Sequence, residues 1–68
     1  MSNPAIVELR PRERELLDAY IELGRYRLVA RAMNLSEQTV KNMAFGIRKA
    51  LEVESMAQAC VLYDRSRR

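Results

Sequence analysis

Histidine and tryptophan are absent from the 68 residues, and cysteine occurs once, as Cys60. With no histidine and one thiol, a conventional zinc site lacks its ligands and an internal disulfide lacks its second sulfur. Cys60 is expected to pack as a small hydrophobe, because a redox switch needs an exposed thiol beside an activating cation. Glycine and proline are scarce, two of each, so no glycine loop is present to cradle a phosphate. No nucleophile stands beside a base, which argues against an enzyme, and neither a cofactor nor a metal is expected. Apolar runs fall far short of the roughly 20 residues of a membrane span, and no signal peptide is visible. A cytoplasmic protein is the expectation.

What remains is helix-forming material. Ala, Leu, Arg, Glu and Met dominate and β-branched residues are few, a bias toward helix. The chain is 49% hydrophobic and 31% charged, enough apolar surface to offset chain entropy in one small domain. Chains of this size often gain stability from a partner. The net charge of +3 is unevenly spread. Residues 1–24 set Arg10, Arg12 and Arg14 against Glu8, Glu13, Glu15, Asp18 and Glu22, giving −2. Residues 25–51 set Arg25, Arg27, Arg31, Lys41, Arg48 and Lys49 against Glu37 alone, giving +5, and residues 52–68 balance. A basic middle between acidic and neutral ends suggests a surface for a polyanion.

The periodicity predicts an all-α domain of four helices. Residues 1–8 are expected to be irregular. Pro11 then suits the first turn of a helix, Leu16, Leu17, Tyr20 and Ile21 form its apolar stripe, and Gly24 should end it. The acids early in this helix, Glu13, Glu15 and Asp18, are explained by its dipole rather than by catalysis. Leu28, Val29, Ala32 and Met33 predict a second, shorter helix, closed at Asn34, a residue that tolerates the left-handed conformation. Leu35 reads as a buried turn residue, and Ser36 as the N-cap of a third helix. That helix carries Val40, Met43, Ala44, Ile47 and Leu51 on one side. At 100° per residue, Gln38, Lys41, Asn42, Phe45, Arg48 and Lys49 gather on the other. Ser55 and Gln58 match a capping box for a fourth helix, with Met56, Ala59, Cys60 and Tyr63 inward and a polar tail over 64–68. Ala57, Val61 and Leu62 add more apolar surface than one packed face requires.

The run Leu9–Arg10–Pro11–Arg12–Glu13–Arg14–Glu15 resembles the opening of the LuxR-type (GerE-like) helix-turn-helix domain. Leu35–Ser36–Glu37–Gln38–Thr39–Val40–Lys41–Asn42 resembles the start of that family's recognition helix, and Ile47, Leu51, Val53, Ser55, Gln58 and Ala59 continue in register. The resemblance covers about residues 9–62, within a domain expected over 9–63. It implies a four-helix fold whose third helix enters the major groove of double-stranded DNA. It also implies base contacts from Lys41, Asn42 and Phe45, a phosphate contact from Thr39, and a homodimer through the fourth helix, at Ala57, Val61 and Leu62. The chain departs from the family pattern in several places. Gly24 falls one position late, Met43 replaces a common histidine, Phe45 and Gly46 replace polar residues, and Glu52 stands where a helix-ending glycine is usual.

These residue types suit the task. Lysine donates to guanine O6 and N7, and asparagine pairs with adenine N6 and N7. Gln38, Arg27, Arg31, Arg48 and Lys49 are expected at the DNA backbone, supplying affinity without sequence information. Phe45 fits either thymine methyls or another protein, and Gly46 either admits DNA backbone or has no role. The leading expectation is a small transcriptional regulator that binds an inverted repeat as a dimer. The alternative is a protein-binding antagonist that captures a larger LuxR-type regulator or another transcription protein. Relatives usually carry a receiver or ligand-sensing domain ahead of this one. Here Met1 and the lack of any tag-like stretch favour a stand-alone regulator over an excised domain. Tyr20, Tyr26 and Tyr63 do not make the stacking platform of a single-strand binder.

Overall fold

Local chemistry closes most of the helix ends among the described residues, and those closures set the fold. The computed structural model describes residues 8–66. It comprises α1 (Pro11–Leu23), α2 (Tyr26–Met33), α3 (Glu37–Leu51) and α4 (Met56–Ser66), and no strand occurs among the described residues. The irregular segment expected over 1–8 lies outside the described residues except for Glu8, which is in a turn.

Pro11 opens α1, and the Glu13 carboxylate reaches back to accept from the Arg10 amide at 2.9 Å. The helix ends at Gly24, whose φ of 74° is left-handed and whose N–H donates to the Tyr20 carbonyl at 2.8 Å. Asn34 ends α2 with φ 59°. The amides of Asn34 and Leu35 bond back to the carbonyls of Arg31 and Ala30 at 3.2 and 2.8 Å, a Schellman closure. Ser36 then caps α3, its Oγ accepting from the Thr39 amide at 3.1 Å. Asn34, Leu35 and Ser36 are thus the whole connection between α2 and α3, as short as a helix-turn-helix requires. At α4 the reciprocal cap is present. Gln58 N–H donates to Ser55 Oγ at 3.2 Å while Gln58 Oε1 accepts from the amides of Ser55 and Glu54 at 3.3 and 2.8 Å.

The core is one cluster. Leu16 and Leu17 of α1, Val29, Ala30 and Met33 of α2, Val40, Ala44, Ile47 and Leu51 of α3, and Met56, Ala59 and Tyr63 of α4 meet with Leu9. α1 and α3 each pack against all three other helices, so the two together form the centre of the domain. The result is an all-α, four-helix domain whose α2–turn–α3 unit is of the helix-turn-helix kind. No described helix is long and apolar enough to cross a membrane.

Three side chains expected inside lie elsewhere. Ile21, on the last turn of α1, is 47% exposed. On α2 the buried face is turned toward Ala30, leaving Leu28 and Ala32 exposed. A helix this short has several near-equivalent apolar stripes, and its neighbours α1 and α3 choose among them. α4 also runs through Asp64, Arg65 and Ser66, so part of the polar tail is helical, and Ser66 Oγ donates to the Tyr63 carbonyl at 2.8 Å.

Glu52 adopts φ 57°, the left-handed C-cap of α3, and Val53 N–H closes the turn on the Arg48 carbonyl at 3.0 Å. A side chain with a Cβ is strained there by about 1–2 kcal/mol, partly offset by the greater unfolded-state entropy of glycine. Glu52→Gly is expected to stabilise the fold by about 0.5–1 kcal/mol. A thermal melt followed by circular dichroism checks this, and an unchanged or lowered midpoint contradicts it.

Candidate nucleic-acid interface

The outward face of α3 follows from its inward one. With Val40, Ala44 and Ile47 fully buried, helical geometry places Gln38, Lys41, Asn42, Phe45 and Lys49 on the opposite side, and all five are exposed. Arg48, expected among them, sits at the edge of this face and is half-buried. Its charge acts on the Tyr26 hydroxyl, whose pKa burial pushes up while Arg48 pulls it down, burial prevailing. Tyr26 packs on Tyr20 with ring centroids 5.3 Å apart, joining the start of α2 to α1.

Within the face, side chains are organised in pairs one helical turn apart. Lys41 Nζ lies 3.4 Å from Glu37 Oε2. Both groups are about half exposed, so the pair is weak and opens readily to another anion. Gln38 Nε2 donates to Asn42 Oδ1 at 3.0 Å. That bond orients the Asn42 amide, and its carbonyl oxygen keeps a second lone pair while its NH₂ keeps two donors. The orientation leaves both groups that adenine recognition uses available. Thr39 shares a 2.7 Å hydrogen bond with Ser36 through its hydroxyl, tying it to the cap at the N-terminus of the helix.

Farther along, Phe45 is 59% exposed, with the Arg48 guanidinium carbon and Lys49 Nζ 6.0 and 5.9 Å from its ring centroid. Gly46 lies beside it in regular helix, and a Cβ built there would meet nothing within 4 Å. Neither packing nor backbone conformation within the chain therefore requires glycine at this position. Gly46→Ala is expected to raise stability by about 1 kcal/mol, which for a domain of this size shifts the melting midpoint by about 4–8 °C. A lowered midpoint would mean that the glycine serves the fold after all.

The remaining candidates form two further sets. Arg27 and Arg31 are exposed and one turn apart on α2, a second basic row. Ala57, Val61 and Leu62 come together with Val53 and Gln58 around an apolar depression on α4, where Val61 is 52% exposed. Cys60 is half-buried, and burial raises its pKa. Its thiol therefore stays protonated at neutral pH, in keeping with a packing role.

The sequence did not reveal Arg12, which positions α3 from a distance. Its Nη2 donates to the Met33 carbonyl at 2.7 Å, while Nη1 pairs with Glu15 at 2.9 Å. The first bond satisfies a C-terminal carbonyl of α2 and ties α1 to the turn that launches α3. Nothing in local spacing signals a contact across 21 positions.

Set against models of known families, curated proteins and solved structures, the chain matches none. The chemistry of the α3 face is legible without a relative. It offers donors and acceptors at its first turns, cations along its length and one aromatic ring. Among the described residues no group of His, Cys, Asp and Glu is arranged to hold a metal.

Proposed function

We propose that this chain binds double-stranded DNA sequence-specifically as a small transcriptional regulator of the LuxR-type helix-turn-helix kind, with α3 as the recognition helix in the major groove. The observation that carries the reading is the outer face of α3. Gln38, Lys41, Asn42, Phe45 and Lys49 are exposed together on a helix whose inner face is locked into the core. A rigid helix with amide and cationic tips is suited to base edges, and rigid placement is what lets direct readout discriminate. The +5 charge of residues 25–51 supports attraction to phosphates from Arg27, Arg31, Arg48 and Lys49. Thr39 and Gln38, near the N-terminus of α3, suit contacts to the DNA backbone. Gly46, which the fold does not need, suits close approach of a DNA strand to the helix.

The apolar depression at Ala57, Val61 and Leu62 supports pairing of two copies through α4, and hence an inverted-repeat site with half-sites about one DNA turn or a multiple apart. The test is fluorescence anisotropy of the purified chain against duplexes enriched from a random library, with scrambled duplex alongside, titrated across salt. Site-selective binding is expected, weakening with salt by a log–log slope of about −0.9 for each phosphate neutralised. A two-to-one protein-to-duplex ratio is expected on the full repeat. Equal, weak binding to both duplexes would reject the proposal and favour a protein-binding antagonist acting through the α4 surface.

A further inference from the structure

We propose that Phe45 reads the 5-methyl group of a thymine in the major groove, so that the C-terminal half of α3 senses a methyl where its N-terminal half makes hydrogen bonds. This rests on the DNA-binding reading above and names what this part of the face recognises.

Phe45 is the most exposed of the large apolar side chains described, at 59%. Its ring can neither donate nor accept a conventional hydrogen bond, so it contributes to a partner only by contact. Arg48 and Lys49 stand 6.0 and 5.9 Å from its centroid, so two cations stand beside the ring. A shallow groove bordered by Phe45, Arg48, Lys49, Val53 and Glu54 opens at this point. An occupant that is apolar at one spot and anionic beside it suits this setting.

A thymine methyl meets both demands. It is the apolar group that a base pair presents in the major groove, and rows of phosphates flank it. An acidic protein surface with one apolar residue would meet them too. The Gln38–Asn42 amide pair, bonded at 3.0 Å on the same face, favours base edges, because oriented amide donors and acceptors serve base recognition directly. Phe45 follows Lys41 by one helical turn, an advance of about 6 Å along the axis. At 3.4 Å per base step, the thymine is expected within about two base pairs of the one that Lys41 contacts.

Deoxyuridine lacks only this methyl and keeps every hydrogen-bonding edge, so it isolates the contact. Each thymine of the site enriched by the wild-type chain is replaced singly by deoxyuridine, and affinity is measured by anisotropy for wild type and Phe45→Ala. Wild type is expected to lose about fourfold at one position in each half-site, the worth of one buried methyl, and Phe45→Ala is expected to be indifferent there. Equal wild-type affinity at every position overturns the proposal and leaves the DNA reading intact. So does a loss that persists unchanged in Phe45→Ala. If no sequence is enriched at all, the DNA-binding reading itself falls, and this inference with it.

Discussion

Ile47→Ala is expected to leave much of the chain unfolded at room temperature. Ile47 is fully buried on the inner face of α3, which, like α1, packs against all three other helices. Truncating an isoleucine in such a position costs about 2–5 kcal/mol, through lost transfer energy and the cavity left behind. A single core in a domain this small rarely supplies more than about 3–5 kcal/mol in total. The substitution therefore removes most of the margin, whereas the same change at an exposed apolar position such as Ile21 is expected to cost far less. Urea titration followed by circular dichroism separates the cases. An Ile47→Ala variant that melts within a few degrees of wild type would show that Ile47 carries little of the core's stability.

Lys41→Ala tests the other face of the same helix and predicts the opposite pattern, an intact fold with impaired recognition. The ion pair with Glu37 is exposed and weak, worth about 0.3–0.5 kcal/mol on a helix surface, and alanine repays part of this in helix propensity. Stability should hardly move. If Lys41 contacts a guanine, its loss costs about 1–3 kcal/mol, a roughly five- to 150-fold weakening on the selected site. Binding to scrambled duplex should fall much less, since one phosphate contact among several is then at stake. A folded variant with unchanged site affinity would remove Lys41 from the base-reading set. A uniform fall on both duplexes would reassign it to the backbone.

These two expectations mark how unevenly the structure was legible beforehand. Closures were readable because they are local. The left-handed preferences of Gly24 and Asn34, the Ser36 cap and the Ser55–Gln58 box each act over at most a few residues, and all four are present. The division of α3 into an apolar and a polar face was readable for a related reason. Fifteen residues of helix sample the 3.6-residue period several times, so one stripe stands out. α2, with eight residues, samples it barely twice, and its buried face came out turned from Ala32 toward Ala30. Within α3 the placement of Arg48 was also beyond periodicity. It borders the outer face, yet it is half-buried, close enough for its charge to act on Tyr26.

The sequence by itself determined that this is an all-helical chain, where α1 starts and stops, where α2 stops, where α3 and α4 start, and which side of α3 carries the amides and cations. Those properties depend on capping chemistry, propensity and period, interactions that span a turn or two of backbone. Only the tertiary structure decided that Arg12 ties α1 to the end of α2, that Ile21 stays uncovered, and that the buried face of α2 turns toward Ala30. Such outcomes depend on which surfaces meet across long stretches of chain, and the burial of one shared core sets them, with no signal in local spacing.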